Sequence, residues 1–228
     1  MNKKLVLGLL LLVSMGLMAS CKVGRFFLYN FADIKDYKKF PARGLTAAPM
    51  PFRFHTTEKG KFPKEINGKP FDVFLKDNKT VAFLIIRHDS IQYEQYFKGY
   101  SRERIVPSFS VAKSVTSILI GCAIDDGFIK SVEEPVTKYI PELSKNGFDK
   151  VTIAHLLQMT SGIRFNESYF NPFGDAASFY YGRQLRKQMT KMTLKNDPGQ
   201  QFAYASGNTQ LLGLVLERDL KGKLITDY

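Results

Sequence analysis

Residues 107–117 read Pro-Ser-Phe-Ser-Val-Ala-Lys-Ser-Val-Thr-Ser and contain a Ser-x-x-Lys motif at Ser110 and Lys113. The apolar pattern that follows predicts a helix from Ser110 to Asp126. Because this helix is apolar nearly all round, it is expected to be fully buried. A spacing of three residues places the Lys113 ammonium on the same helix face as the Ser110 hydroxyl. The motif therefore predicts a hydroxyl and an amine side by side at the start of a buried helix.

Such a pair is suited to nucleophilic catalysis. Backbone N–H groups at a helix N-terminus favour negative charge, which would stabilise an alkoxide or an oxyanion. An apolar site disfavours the charged form of Lys113, so this side chain could accept a proton from Ser110. The alternative is a capping serine followed by an unrelated lysine. A lysine on an otherwise apolar helix weighs against that alternative.

Two later segments complete a pattern. Residues 155–163 read His-Leu-Leu-Gln-Met-Thr-Ser-Gly-Ile, and residues 198–213 read Pro-Gly-Gln-Gln-Phe-Ala-Tyr-Ala-Ser-Gly-Asn-Thr-Gln-Leu-Leu-Gly. With residues 107–117, and in this order, they resemble the active-site blocks of the serine β-lactamase and penicillin-recognising hydrolase family, class C branch. The resemblance runs from about Val81 onward. It implies an α/β (α+β) fold: a β-lactamase/transpeptidase-like antiparallel sheet flanked by helices, with a helical insertion.

The resemblance also implies roles for individual residues. Ser110 would be the acylated nucleophile, Lys113 its general base or proton relay, and Tyr204 a second proton carrier that protonates the leaving group and later activates water. Ser206 would bind substrate, although the β-lactamases of this branch usually have Asn at that position. The sequence Tyr-x-Ser-Gly-Asn-Thr is more similar to the branch that contains esterases and 6-aminohexanoate-dimer hydrolases.

The segment Asp175–Gly182 also resembles that branch, in which it would lie beside the substrate cleft and Tyr181 would bind substrate. A helix start with aromatic side chains in the core is an equally good interpretation. His155 is expected to be structural, on a short helix that Thr152 caps. No His, Asp and Glu residues show the spacing of metal ligands, so no metal is predicted. Glycine motifs of nucleotide sites are missing from the sequence, and no cofactor is predicted.

The beginning of the chain predicts export. Lys3 and Lys4 precede the apolar run Leu5–Val13, and Leu-Met-Ala-Ser-Cys at residues 17–21 resembles a bacterial lipoprotein signal. Residues 1–20 would be removed, and Cys21 would carry a lipid anchor in the cell envelope. An ordinary signal followed by a stray cysteine is the alternative. If Cys21 is lipidated, Cys122 has no partner and is expected to be a small buried residue.

The charge of the chain indicates a basic surface. Its 33 Lys and Arg against 21 Asp and Glu give a formal net charge of +12. An exported protein rarely meets nucleic acid, and the densest basic cluster, within residues 183–195, has the spacing of a solvated helix face. We therefore expect no nucleic-acid partner, and attraction to anionic lipid is a better interpretation.

The remaining segments predict the domain organisation. Residues 21–70, which prolines interrupt, are predicted to be an extended lead-in or tether, and residues 71–228 to be the N-terminal part of the hydrolase domain. Within that part we expect a hairpin of Thr80–Arg87 and Ser90–Phe97, a strand at Gln201–Tyr204 and a helix capped by Asn208.

The function predicted from these observations is an envelope-located serine hydrolase. It would cleave a small or peptide-like amide or ester through an acyl-enzyme on Ser110. Within enzymes the alternative is a β-lactamase or D-Ala-D-Ala peptidase, and outside them a non-catalytic penicillin-binding or sensor protein. The family closes its site with a later strand that carries Lys or His, a small residue and Gly. No such tripeptide follows Tyr204, so we expect the chain to be truncated and inactive by itself.

Overall fold

The computed structural model describes residues 21–29, 32–57, 60–220 and 222–228, and the predicted signal peptide, residues 1–20, lies outside them. The helices are α1 (Lys22–Tyr29), α2 (Phe71–Asp77), α3 (Ala112–Asp125), α4 (Ile153–Leu157), α5 (Asp175–Tyr181), α6 (Leu185–Met189) and α7 (Ser206–Asp219). The strands are β1 (His55–Thr56), β2 (Glu65–Ile66), β3 (Lys69–Pro70), β4 (Ala82–Arg87) and β5 (Ser90–Tyr96). Short 3-10 helices lie at Asp36–Lys38, Phe109–Val111, Val136–Lys138, Pro141–Asn146, Phe148–Lys150 and Ile225–Asp227. This mixture of helix and sheet is the α/β class that the sequence predicts.

The described residues divide into two compact units. One contains the residues up to Gly44 together with Pro107–Tyr228, and the other contains Leu45–Val106. In the second unit, β4 and β5 form the predicted antiparallel hairpin, and the short β1 pairs in parallel with β5. His88 and Asp89 both have positive φ, 48° and 55°. A two-residue turn of this kind matches the twist of the strands it joins.

The core of the first unit lies where α7 packs against α3 and α4. Leu211 and Val215 on α7 are fully buried there. The segment between α3 and α4 folds into 3-10 turns that add further fully buried side chains: Val136, Ile140, Leu143 and Phe148. Burying each of these side chains stabilises the fold by about 1.5–3 kcal/mol, so this apolar cluster provides a firm base for α3 and α7.

Helix α3 differs from the fully buried helix at Ser110–Asp126 that the sequence predicts. It begins at Ala112, after the 3-10 turn that contains Ser110. Ile120 and Ala123 are each 1% exposed, but Val115 and Ile118 are 54% and 65% exposed. Cys122, predicted to be buried, is also exposed. A helix that is apolar all round does not reveal which of its faces is packed, and here the packed face is the one toward α7.

Residues 21–70 are not entirely the extended lead-in that the sequence predicts, because Lys22–Tyr29 forms α1, which packs against α5. Residues Gln201–Tyr204, predicted to be a strand, are irregular. Asn208, predicted to cap a helix, lies buried inside α7, and Ala205 occupies the N-cap. The structure confirms Thr152 as the N-cap of α4, where it forms a capping box with His155. The His155 ring accepts a bond from the Thr152 N–H, and the His155 N–H donates to the Thr152 hydroxyl, both at the first turn of α4. These bonds agree with a structural role for His155.

No helix in the described part of the chain is both long enough and apolar enough to cross a bilayer.

Candidate active site

The structure brings Ser110, Lys113 and Tyr204 together. The Lys113 Nζ atom donates a hydrogen bond to Ser110 Oγ at 3.2 Å, and the Tyr204 hydroxyl lies 2.8 Å from the same Oγ. Ser110 lies in the 3-10 turn at Phe109–Val111, and Lys113 lies in the first turn of α3. Tyr204 is on the irregular segment that leads into α7. A serine oxygen is thus within hydrogen-bond distance of two groups that can carry a proton.

The backbone is strained immediately before Ser110. Phe109 has a φ of 45°, in the left-handed region that non-glycine residues rarely adopt. Such a conformation costs about 1–2 kcal/mol, and strain of this kind concentrates at functional sites. Here the strained residue opens the 3-10 turn that leads into α3, and the exposed Ser110 is the next residue of that turn.

Tyr204 is held in place by the second sequence block. The Ala203 N–H donates to the Met159 carbonyl at 2.9 Å, and the Gly199 N–H donates to the Thr160 carbonyl at 2.8 Å. Gly199 also has a φ of 81°, and a side chain there would approach the His155 ring. Through these bonds the second block positions the backbone segment that carries Tyr204.

A buried polar pair joins the same two blocks inside the core. The Ser161 hydroxyl donates to the Asn208 amide oxygen, and the Asn208 amide nitrogen lies 3.2 Å from the Met159 sulfur. Ser161 and Asn208 are each 1% exposed. A buried polar group that loses its partner keeps the cost of desolvation, about 1–3 kcal/mol. This pair therefore stabilises the contact between the block that contains Met159 and helix α7.

Asn208→Ala is expected to lower the free energy of unfolding by about 1–3 kcal/mol, because it leaves the Ser161 hydroxyl buried without its acceptor. Urea denaturation of the full-length protein measures this change. Gln210→Ala, two residues later on the exposed side of α7, is the matched control and should change stability by less than about 0.5 kcal/mol. Equal effects of the two substitutions would contradict a bonding role for Asn208.

The electrostatics of the site favour ionisation of Tyr204. Burial raises the pKa of Tyr204, but hydrogen bonding to Ser110 and Lys113 and the positive charge of Lys113 outweigh it. The pKa of Tyr204 therefore lies below the usual value of a tyrosine, although the nearby charge of Glu167 opposes this in part. The Lys113 ammonium lies 5.2 Å from the centre of the Tyr204 ring. Tyr204 is thus better able to act as a base near neutral pH than a free tyrosine.

Ser206 has a partner that the sequence did not indicate. Its backbone N–H donates to Glu167 Oε2 at 2.8 Å, and its hydroxyl donates to Glu167 Oε1 at 2.5 Å. Glu167 lies in the irregular stretch between α4 and α5, where no periodic pattern or motif singles it out. The single hydroxyl of Ser206 is therefore engaged by a carboxylate, and its predicted role in binding substrate remains a prediction.

A cavity of about 180 Å³ opens at Ser110 and is lined mostly by aromatic and small side chains. These are Phe109, Ser110, Lys113, Tyr169, Ala176, Phe179, Tyr180, Ser206 and Gln210. Tyr181, predicted to bind substrate, is 2% exposed and packs against Phe26 with ring centres 5.5 Å apart. The core alternative for Tyr181 thus describes its position, because consecutive residues of a helix point about 100° apart around its axis. Its neighbour Tyr180 lines the cavity instead.

A larger cavity of about 710 Å³ lies next to Glu167 and includes none of the three predicted catalytic residues. Its charged lining residues are Arg164, Glu167, Asp175, Lys195 and Asp197. The Glu167–Ser206 bonds connect its wall to that of the smaller cavity. Among the described residues, no three His, Cys, Asp or Glu side chains are grouped so that they could hold a metal ion.

Comparison with known proteins identifies the family. Residues 72–226 match the sequence model of the beta-lactamase family. The chain is 30% identical over 154 residues to a 6-aminohexanoate-dimer hydrolase of Paenarthrobacter ureafaciens, a match that covers 63% of this chain and 39% of that enzyme. The chain thus spans about two fifths of this curated relative.

Two solved structures support the fold. A Bacillus anthracis protein described as a 6-aminohexanoate-dimer hydrolase matches with a TM-score of 0.69 and 22% identity, over 85% of this chain and 55% of its own. A Bacteroides dorei DSM 17855 protein described as a beta-lactamase matches with a TM-score of 0.55 and 21% identity, over 66% of this chain and 44% of its own. The family model covers more than half of the chain, so the chain belongs to the beta-lactamase family, a family of serine hydrolases, as the three sequence blocks predict.

Proposed function

We propose that this protein hydrolyses an amide or ester bond through an acyl-enzyme on Ser110. The observation that carries the proposal is the placement of one serine oxygen 3.2 Å from Lys113 Nζ and 2.8 Å from the Tyr204 hydroxyl. Nucleophilic catalysis by serine needs a neighbouring group that removes the hydroxyl proton, and both neighbours are of that type.

The geometry supports a two-stage reaction. An ionised Tyr204, with Lys113 beside it, would accept the Ser110 proton as Oγ forms a bond to the substrate carbonyl carbon. The proton would pass to the departing nitrogen or oxygen as the bond to the leaving group breaks, which leaves an ester on Ser110. Water would then attack the carbonyl carbon of this ester and give a proton to Tyr204. Tyr204 would return that proton to Ser110 Oγ as the bond from Oγ to the acyl carbon breaks, which releases the acid and restores the Ser110 hydroxyl.

The cavity supports an acyl group that is apolar next to the bond that breaks. Its walls are mostly aromatic and small side chains, and Lys113 is its one ordinarily charged lining residue. The relative in Paenarthrobacter ureafaciens is named a hydrolase of 6-aminohexanoate dimer. Ser206, where the resemblance places Asn in β-lactamases, also favours this branch. We therefore propose linear amides and esters as substrates in preference to β-lactams.

A substrate panel on the full-length protein tests the proposal. It contains the linear 6-aminohexanoate dimer, p-nitrophenyl esters, a chromogenic cephalosporin and a D-Ala-D-Ala peptide. We expect turnover of the first two and little of the others. Preferential turnover of the cephalosporin or the peptide would favour the β-lactamase or peptidase alternative. A permanent acyl adduct without turnover would favour a sensor, and the absence of both turnover and adduct would contradict the proposal.

We also propose that the protein is held in the bacterial cell envelope by a lipid on Cys21. The lipoprotein-like signal at residues 17–21 supports this location, as does the exposed position of Cys21 directly before α1. Each buried methylene of an acyl chain contributes about 0.8 kcal/mol to membrane binding, so two or more chains hold a protein firmly.

Cys21→Ser is expected to move the protein from the membrane fraction to the soluble fraction, because serine cannot form the thioether to lipid. Fractionation of cells without detergent measures the change. Cys122→Ser, which removes the other exposed thiol, is the matched control and should leave the distribution unchanged. Retention of the Cys21→Ser protein in membranes would indicate an uncleaved signal or a second membrane contact.

A further inference from the structure

One wall of the cavity at Ser110 is hydrogen-bonded to a segment that is distant in sequence. Tyr180 lines the cavity at Ser110, and its hydroxyl donates a hydrogen bond to Asp36 Oδ2 at 2.6 Å. Asp36 is 1% exposed and lies in the 3-10 turn at Asp36–Lys38, within the predicted lead-in. A charged acceptor makes a shorter and stronger hydrogen bond than a neutral one. The phenol of Tyr180 is thus fixed at its far end by a buried carboxylate.

Asp36 is itself held in a defined position. The Asp33 N–H donates to its Oδ2 at 2.9 Å, and Lys39 Nζ lies 2.8 Å from its Oδ1. Burial raises the pKa of Asp36, but bonds from Lys39, Tyr180 and Asp33 and the charge of Lys39 outweigh it, so the pKa lies below the usual value. Asp36 is therefore ionised at neutral pH. Lys39 also donates to the Tyr29 carbonyl at 2.7 Å, which connects this turn to the end of α1.

Aromatic contacts hold the ring of Tyr180 on two sides. Phe40, from the same N-terminal segment, packs edge-to-face against it with ring centres 5.3 Å apart and planes at 87°. Tyr169, which also lines the cavity, lies 6.4 Å away at 79°. Edge-to-face pairs at these distances are favourable and fix ring orientation. The ring is therefore positioned by residues 33–40 from one side and meets the cavity on the other.

We propose that Asp36 is a positioning residue for Tyr180, and that residues 33–40 thereby determine which acyl groups the cavity accepts. The proposal rests on the proposed hydrolase function and deepens it. Without the carboxylate, the Tyr180 ring can rotate about its side-chain bonds toward the cavity or away from it. A short acyl group would not reach the Tyr180 ring and would be unaffected. A longer acyl group would lose its contact with the ring. Asp36 would therefore act on selectivity and leave the chemistry at Ser110 unchanged.

Esters of two lengths test this with the full-length protein. Asp36→Ala should lower kcat/KM for p-nitrophenyl hexanoate about tenfold, mainly through a higher KM. The same substitution should change kcat/KM for p-nitrophenyl acetate by less than about twofold. Asp36→Asn keeps an acceptor for the phenol and should restore most of the loss. Asp33→Asn keeps the backbone N–H that bonds to Asp36 and removes the same charge from an exposed side chain, so it should leave both values unchanged.

A double-mutant cycle shows whether the effect passes through Tyr180. Tyr180→Phe removes the hydrogen bond from the other side, and the pair Asp36→Ala with Tyr180→Phe should lose no more than Asp36→Ala alone. Additive losses would overturn the proposal, as would equal losses for the two esters, since these indicate a general effect on the fold.

Hydrogen exchange of α5 tests, independently of activity, whether Asp36 positions Tyr180. Amides of residues 175–181 should exchange faster in the Asp36→Ala protein than in wild type, and no faster in the Asp33→Asn protein. Unchanged exchange after Asp36→Ala would overturn the positioning role. If the wild-type protein hydrolyses neither these esters nor any other substrate of the panel, the proposed function fails, and the exchange measurement still tests whether Asp36 holds Tyr180.

Discussion

Ser110→Ala is expected to abolish labelling of the protein by a fluorophosphonate probe and to lower amide or ester turnover by about 10⁴–10⁶-fold. The probe reacts when a serine oxygen forms a bond to phosphorus and fluoride leaves, and alanine offers no oxygen. Ser110 is exposed, and within the described part of the chain its hydroxyl bonds to Lys113 and Tyr204. The free energy of unfolding should therefore change by less than about 1 kcal/mol. Gel fluorescence and a thermal melt measure the two effects.

Ser108→Ala is the matched control. Ser108 is exposed two residues earlier in the same turn, and its carbonyl, which the substitution keeps, accepts the bond from the Val111 N–H. It should be labelled at the wild-type rate. Peptide mapping of the wild-type adduct identifies the labelled residue. A label on any serine other than Ser110, or full labelling of the Ser110→Ala protein, would show that the nucleophile lies elsewhere.

The sequence was informative about this site because its chemistry is concentrated in three short blocks. Ser110 and Lys113 are three residues apart, so their proximity follows from helical geometry alone. Tyr204 lies 94 positions from Ser110, and only the resemblance of the whole set of blocks placed it at the same site. The hairpin was predictable for a similar reason, since its strands and its turn at His88 and Asp89 are adjacent in sequence.

Contacts between distant segments were not predictable from local pattern. Glu167 meets Ser206 across 39 positions, and Asp36 meets Tyr180 across 144. Neither Glu167, in an irregular stretch, nor Asp36, in a short 3-10 turn, belongs to a periodic pattern. Tyr180 and Tyr181 are consecutive residues of α5, and only the orientation of this helix shows which of them lines the cavity. The apolar composition of α3 suggested complete burial, but composition does not show how many neighbours a helix has. In each case the sequence pattern leaves open which side of an element faces which partner.

Lys113→Met is expected to lower the rate of acylation by about 10³-fold or more, beyond the loss of one general base, because it also removes positive charge from the site. Lys113 is half-buried, and methionine replaces its stem with little change in volume. The fold should therefore persist. Stopped-flow measurement of the acyl-enzyme, or the rate of probe labelling, determines the loss. Acylation close to the wild-type rate would contradict any role for Lys113.

The pH dependence separates the two roles of Lys113. If ionised Tyr204 is the base, the rate of acylation rises as the pH passes through the pKa of Tyr204. Burial raises this pKa, but the bonds to Ser110 and Lys113 and the charge of Lys113 outweigh burial, so the pKa lies below the usual value. Removing the Lys113 charge raises that pKa, so in the Lys113→Met protein the rise should move to higher pH. Lys113→Arg keeps the charge but cannot take up a proton near neutral pH, so its profile should stay close to that of wild type.

A Lys113→Arg protein that is as slow as Lys113→Met, with an unshifted profile, would assign proton transfer to the Lys113 amine. A fast Lys113→Arg protein would assign to Lys113 an electrostatic effect on Tyr204. An unshifted profile in the Lys113→Met protein would exclude Tyr204 as the group whose ionisation limits acylation.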